Sequence, residues 1–290
     1  MKRATVFLVV LSVCVTALYF SQRRREATPV SSNAVVAMAA DVQRDITRAP
    51  MRFTRLSDDE EIAIGNQLAG QYVFTNDPAS PEEQALENYV ARIGATIALR
   101  AHRRLPYSFH LVRNRAMMNA FSLPGGHVYL GEGLLGLMTS EDQLAFVIGH
   151  EVEHIDHYHC AERVQIEARL KHLNLGMIGA LVQIPLAVWE AGYTKDEELE
   201  ADREGMRLAA LTGDSPYGAV TLFETFSKLH SEYIIHAQTP EQELSELAIQ
   251  SLQGYFRSHP ETSERLAQAR KVIAEEKWQD RKAEQPFRPE

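Results

Sequence analysis

The 290-residue chain is long enough to bury a substantial core, and its composition, 45% hydrophobic and 24% charged, is that of a globular protein. Net charge is −9 but uneven: the first 25 positions hold five basic and no acidic residues, leaving 25 basic against 39 acidic in the remainder. So acidic a body lacks the cationic stripe that displaces phosphate counterions, which excludes nucleic acid as a partner, and two cysteines, Cys14 and Cys160, exclude a disulfide framework.

Residues 4–20 carry no charge and are flanked by Lys2, Arg3 and by Arg23, Arg24, Arg25. The run sits at the low end of a bilayer span and slightly exceeds a usual signal-peptide core. Residues 1–25 therefore read as a signal anchor or a signal peptide. The body is then tethered to the membrane or secreted to the periplasm, outside the cytoplasm. Residues 26–50, small and without sustained period, read as a linker.

The folded domain is expected over residues 51–280. Ser57 and Ser80, each followed three residues on by Glu, open two helices; behind the second, Leu86, Val90, Ile93 and Ile97 recur at helical spacing. Strand chemistry follows at 105–112 and at 127–130, the latter after the turn signal Pro124-Gly125-Gly126. Asn119, Ala120 and Phe121 read as an edge strand beside a cleft, whose backbone groups an extended segment can pair with. Ser140 caps a helix that carries Leu144, Val147 and Ile148 into "GHEVEHIDHYHC" (149–160) and continues to about residue 169. An apolar stretch, 173–191, is interrupted by Asn174, Gln183 and Pro185; it reads as a buried or site-covering helix pair ahead of a membrane re-entrant segment. Helices are expected over about 195–211, stopped by Gly213, after Ser215-Pro216, and from Pro260 to about Trp278. Residues 281–290 read as a disordered tail. The fold class is α+β, mostly helical, one domain with a small sheet beside the His-rich helix.

His150-Glu151-Val152-Glu153-His154 places two imidazoles four residues apart on one helical face, where both can meet one ion. Neutral imidazole nitrogens suit Zn²⁺, one per chain. Glu151, about 100° round the helix, can reach a water on the ion without being a ligand, which suits a general base. A third histidine six residues after His154 is ruled out, because Cys160 stands there and His157 replaces the glycine that pattern needs. A glutamate on a later helix is the other solution. Glu198 and Asp202 share one face there, the first as ligand, the second to hold a ligand histidine's other nitrogen. Glu197 and Glu200 read as solvated, Asp196 as a cap, and His157, His230 and His236 as ordinary surface or core.

H-E-x-x-H followed by Glu198-Leu199-Glu200-Ala201-Asp202 and Gly205, with "NAFSLPGGHVYLGEGLL" (119–135) and "SHPETSERL" (258–266), resembles the family-48 gluzincin metallopeptidases over roughly residues 52–274. The chain does not carry the several long apolar helices of that family's CAAX and HtpX branches, which directs the resemblance to its compact, periplasmic-type branch. It implies a zinc endopeptidase acting on unfolded or damaged envelope proteins. His259 is implied near the metal, as an oxyanion stabiliser or an occupant of the open position, and Arg265 as an anchor for acidic groups such as Asp202. The alternative is a zinc-stabilised envelope scaffold or chaperone-like protein that no longer turns over.

Overall fold

The computed structural model describes residues 56–71, 79–170, 193–232, 259, 262–282 and 285–287. The leader, the linker and the 173–191 stretch lie outside the described residues, among which no helix is long and apolar enough to cross a membrane.

Two helices open the described chain, α1 (Asp58–Ala69) and α2 (Pro81–Ala98), each started by a complete capping box, Ser57 with Glu60 and Ser80 with Glu83. Strand β1 (Ser108–Val112) follows, then β2 (Ala120–Leu123), a single 3₁₀ turn at Pro124–Gly126, and β3 (His127–Gly131). The sheet order is β1-β3-β2, with β1 parallel and β2 antiparallel to β3, so β2 is an edge. Gly125 turns the chain between β2 and β3 at φ +79°, against α1, where a Cβ would lie 2.7 Å from the Ile62 Cα.

A short α3 (Glu132–Leu137) leads to α4 (Glu141–Asp156), whose N-cap Ser140 accepts from the Gln143 N–H. Helical spacing alone predicts α4 running on to about 169. It stops at His157 instead, because Tyr158 takes a left-handed backbone (φ 63°) that turns its ring under the Arg103 guanidinium, 3.8 Å away. A separate α5 (His159–Leu170) then follows. Thr194 caps α6 (Lys195–Thr212) in a capping box with Glu197, so Asp196 lies in the first turn rather than at the cap, and Gly213 closes the helix at φ 107°. α7 (Tyr217–Glu232) and α8 (Thr262–Glu275) complete the order.

The fold is α+β and mostly helical, with one three-stranded sheet. Strand alternation sends Ala120 into a core built on α2, α4, α6, α7 and α8, while Phe121 and Leu123 join a second core with Ile64, Leu68, Ala161 and Val164. The sheet lies between the two, and α4, whose apolar residues all join the first, is buried over nearly its whole length. Part of the segment expected to be a disordered tail packs back on the body. Phe287 meets Tyr89 edge to face, Gln285 donates its N–H to buried Asp142, and Phe287 closes an apolar cavity of about 550 Å³ with Leu86, Met118, Leu135 and Met138.

Candidate metal centre and active site

Two helices bring the chemistry together. α4 carries His150, Glu151 and His154; α6 carries Glu198 and Asp202. They cross on a pair of glycines: a Cβ on Gly149 would lie 2.7 Å from the Gly205 carbonyl oxygen, and one on Gly205 would lie 2.6 Å from the His150 nitrogen. Only residues without side chains allow this backbone approach, which puts the acidic face of α6 against the histidine face of α4.

One donor atom from each of His150, His154, Glu198 and His259 lies within 4.8 Å of the others, and all four residues are buried. His150 Nε2 stands 3.0 Å from His154 Nε2 and 3.2 Å from His259 Nδ1; Glu198 carboxylate oxygens lie 3.4 to 3.5 Å from the first two and 3.0 Å from the third. Burial pushes the His154 imidazole well below its ordinary range, so its nitrogen presents a lone pair. Burial works against the Glu198 charge, but His259 and Arg265 beside it hold the carboxylate well below its ordinary range. Three imidazoles and one carboxylate converging in a dry pocket fit the nitrogen and oxygen donor set of Zn²⁺.

The remote nitrogens are occupied as well. Asp202 places Oδ1 2.9 Å from His150 Nδ1, which turns His150 Nε2 towards the cluster. Arg265 grips both Asp202 oxygens, Nε to Oδ2 at 2.7 Å and Nη2 to Oδ1 at 2.6 Å, and its Nη1 lies 3.2 Å from Glu198. His154 Nδ1 meets His159 Nδ1 at 2.9 Å, and His159 in turn lies 3.5 Å from Glu200. Tyr193, which sequence reasoning missed, stacks on the His154 ring at 3.7 Å between centroids. Nothing in its spacing announces this, since it precedes the helix cap.

Glu151 is buried without being one of the four. Ser122 donates to its Oε2 at 2.9 Å, while Oε1 has no hydrogen-bond partner and lies 3.4 Å from His259 Nε2. His259 Nε2 is also 3.3 Å from the Ala120 carbonyl, so strand β2, with Ala120 and Phe121, borders the cluster; Asn119 just precedes it, its carbonyl paired with Gly131. Glu197, read as solvated, has a partner, and so does Glu153. Glu197 is buried in its capping box, and Glu153 is buried 2.7 Å from His157, whose pKa this ion pair lifts to about 9. Of the bystander histidines, His157 is thus half-buried and paired; His236 and the side chain of His230 lie outside the described residues.

Comparison with known proteins bears on the same stretch. The family model "Peptidase family M48" matches residues 82–273. The chain is similar to the beta-barrel assembly-enhancing protease of Escherichia coli K12, 28% identical over 66% of this chain and 44% of the relative. The protein of that name in Yersinia pestis is 27% identical over 74% of this chain and 44% of the relative. It is also similar to the mitochondrial metalloendopeptidase OMA1 of Arabidopsis thaliana, 30% identical over 56% of this chain and 36% of the relative. The chain spans less than half the length of these curated relatives. The family match takes in the helices α4 and α6 whose glycine crossing forms the cluster, and family M48 enzymes use zinc. By that match over more than half of its length, the chain belongs to peptidase family M48.

Proposed function

We propose that the protein is a zinc-dependent endopeptidase in which Glu151 is the general base. The observation that carries this reading is the Glu151 carboxylate, buried beside the four-group cluster yet outside it, with one oxygen held by Ser122 and the other without a hydrogen-bond partner. A site serving only to stabilise the fold gains nothing from a buried carboxylate oxygen left unbonded, which costs about 1–3 kcal/mol. His150, His154 and Glu198 are the proposed ligands, with His259 beside them. Bound zinc supplies a Lewis acid that polarises a carbonyl and eases deprotonation of water at neutral pH. Glu151 Oε1 takes that proton and delivers it to the leaving amine. His259 stabilises charge on the carbonyl oxygen, and the edge of β2 at Asn119, Ala120 and Phe121 aligns the peptide.

Residues 51–280 are read as the peptidase domain. The name of the bacterial relatives, which refers to β-barrel assembly, and the acidic body behind a basic, apolar leader support unfolded or damaged envelope proteins as substrates. The same features support a body outside the cytoplasm, secreted or held at the membrane by residues 1–25.

The test is Glu151→Gln in the full chain. Zinc content should match the wild type while casein cleavage falls by on the order of 10³-fold or more, since general base and proton donor are lost together. Cleavage at the wild-type rate would remove Glu151 from the mechanism. A variant that cleaves nothing yet restores the biological phenotype would return the scaffold reading.

A further inference from the structure

Glu151 has a partner that the reaction as proposed leaves unused. Ser122 sits on β2, two residues from Ala120 on the same strand face, and its hydroxyl donates to Glu151 Oε2 at 2.9 Å. Both residues are about 99% buried, so no solvent competes for this bond. Behind Ser122 the contacts continue in one direction. Cys160 Sγ, on α5, lies 3.4 Å from Ser122 Oγ, and the Tyr193 hydroxyl lies 3.2 Å from that sulfur. Tyr193 is the ring stacked on His154.

Burial pushes the Cys160 thiol up to about 12, so the sulfur keeps its proton and can donate it. The thiol donates to Ser122, whose hydroxyl oxygen lies 3.4 Å and carbonyl oxygen 3.6 Å from the sulfur, while the Ser122 O–H is committed to Glu151. The contacts end on one carboxylate oxygen only.

We propose that Ser122 is a positioning residue for the catalytic base: it pins Glu151 Oε2, so that Oε1 alone is turned towards the cluster to accept the proton. The serine touches none of the four metal-facing donor groups and acts only through Glu151. A carboxylate without this anchor rotates about its terminal bond, and the reactive oxygen is correctly aimed only part of the time. The inference rests on the endopeptidase reading, in which Glu151 is the base.

The experiment compares wild type, Ser122→Ala, Ser122→Thr and Glu151→Gln, each as the full zinc-loaded chain. Two readouts are taken: fluorescein-casein cleavage, resolved into kcat and KM, and the infrared carboxylate bands. The wild-type minus Glu151→Gln difference spectrum isolates the Glu151 band. Ser122→Ala should lower kcat by on the order of 10-fold with KM and zinc content unchanged, and should shift that band. Ser122→Thr keeps the hydroxyl and should restore both. A band unmoved in Ser122→Ala overturns the proposal whatever the rates do, and so does a moved band with unchanged kcat, or a lost kcat that threonine fails to restore. If the wild type cleaves no protein, the endopeptidase reading fails, while the band still decides whether Ser122 sets the carboxylate.

Discussion

Arg265 shows how much a single side chain can hold at the residue scale. Its guanidinium is buried, spans both oxygens of Asp202, lies 3.2 Å from Glu198 and rests over the Phe223 ring at 4.8 Å. Burial works against the Asp202 charge, and the guanidinium more than offsets it, holding that carboxylate below its ordinary range. Asp202 in turn fixes the His150 nitrogen remote from the cluster. Arg265→Met keeps the bulk but removes the guanidinium from buried Asp202 and one of the two positive groups beside Glu198. Removing one partner of such a buried pair costs about 3–5 kcal/mol. Losing support behind the ligands should weaken zinc binding about 10–100-fold. Urea denaturation and competition with a chromophoric chelator measure the two effects. Arg265→Lys should recover little, because an ammonium cannot span two oxygens with a planar fork. Wild-type zinc affinity in Arg265→Met would show that Arg265 serves the fold alone.

At the scale of elements, the site depends on how closely two helices approach. Gly205→Ala puts a Cβ 2.6 Å from the His150 backbone nitrogen, and no side chain is there to swing away. The helices must separate, carrying Glu198 away from His150 and His154. Overpacking of this kind costs about 1–3 kcal/mol, and the displaced carboxylate should lower zinc affinity as well. Gly136→Ala on α3 is the control, since its Cβ meets nothing within 4 Å and alanine favours a helix by roughly 0.8–1 kcal/mol. Thermal melts with and without chelator should show Gly205→Ala less stable and less responsive to zinc, and Gly136→Ala unharmed. The same distinction between local and distant causes explains what could be read from sequence. The caps at Ser57, Ser80 and Ser140 lie within four residues of what they bond, and the i,i+4 pairs His150/His154 and Glu198/Asp202 lie on one helical face, so both were legible. The break at Tyr158 depends on Arg103, 55 positions away, and Tyr193 over His154 depends on how the chain returns to the site. Neither partner is encoded in local spacing. The packing of residues 285–287 is illegible for the same reason, the Gln285 hydrogen bond being to Asp142 in a distant helix.

The described molecule has one hydrophobic core on each face of the sheet, the larger one built around α4, and a buried charge cluster joins α1 of the smaller core to the end of that helix. Glu61 of α1 is fully buried and accepts from the Arg103 guanidinium at 2.5 and 3.3 Å and from the Gly125 N–H at 3.1 Å. Arg103 also donates to Asp58 and to the Ile155 carbonyl in the last turn of α4, and its backbone N–H bonds Asp156. One carboxylate and one guanidinium thus connect α1, the turn before β3 and the C-terminal end of the helix carrying His150 and His154. A positive side chain at those last carbonyls also suits the helix dipole. Whether this pair is a net source of stability or chiefly a penalty when broken is decided by a double-mutant cycle. Glu61→Leu leaves a buried guanidinium short of its principal acceptor, and Arg103→Met leaves a buried carboxylate; each should cost about 3–5 kcal/mol in urea denaturation. The double variant removes both charges, so its loss should fall well short of the sum and near that of either single change, giving a coupling free energy of at least about 2 kcal/mol. Strict additivity would mean that Glu61 and Arg103 do not depend on each other, and that apolar packing alone holds α1 to the end of α4. Zinc affinity provides the second reading. The cluster's four donor residues are none of the groups changed, so any loss of affinity in the single variants must travel through displacement of α4. The double variant, with no unpaired charge pulling on that helix, should bind zinc more tightly than either single one.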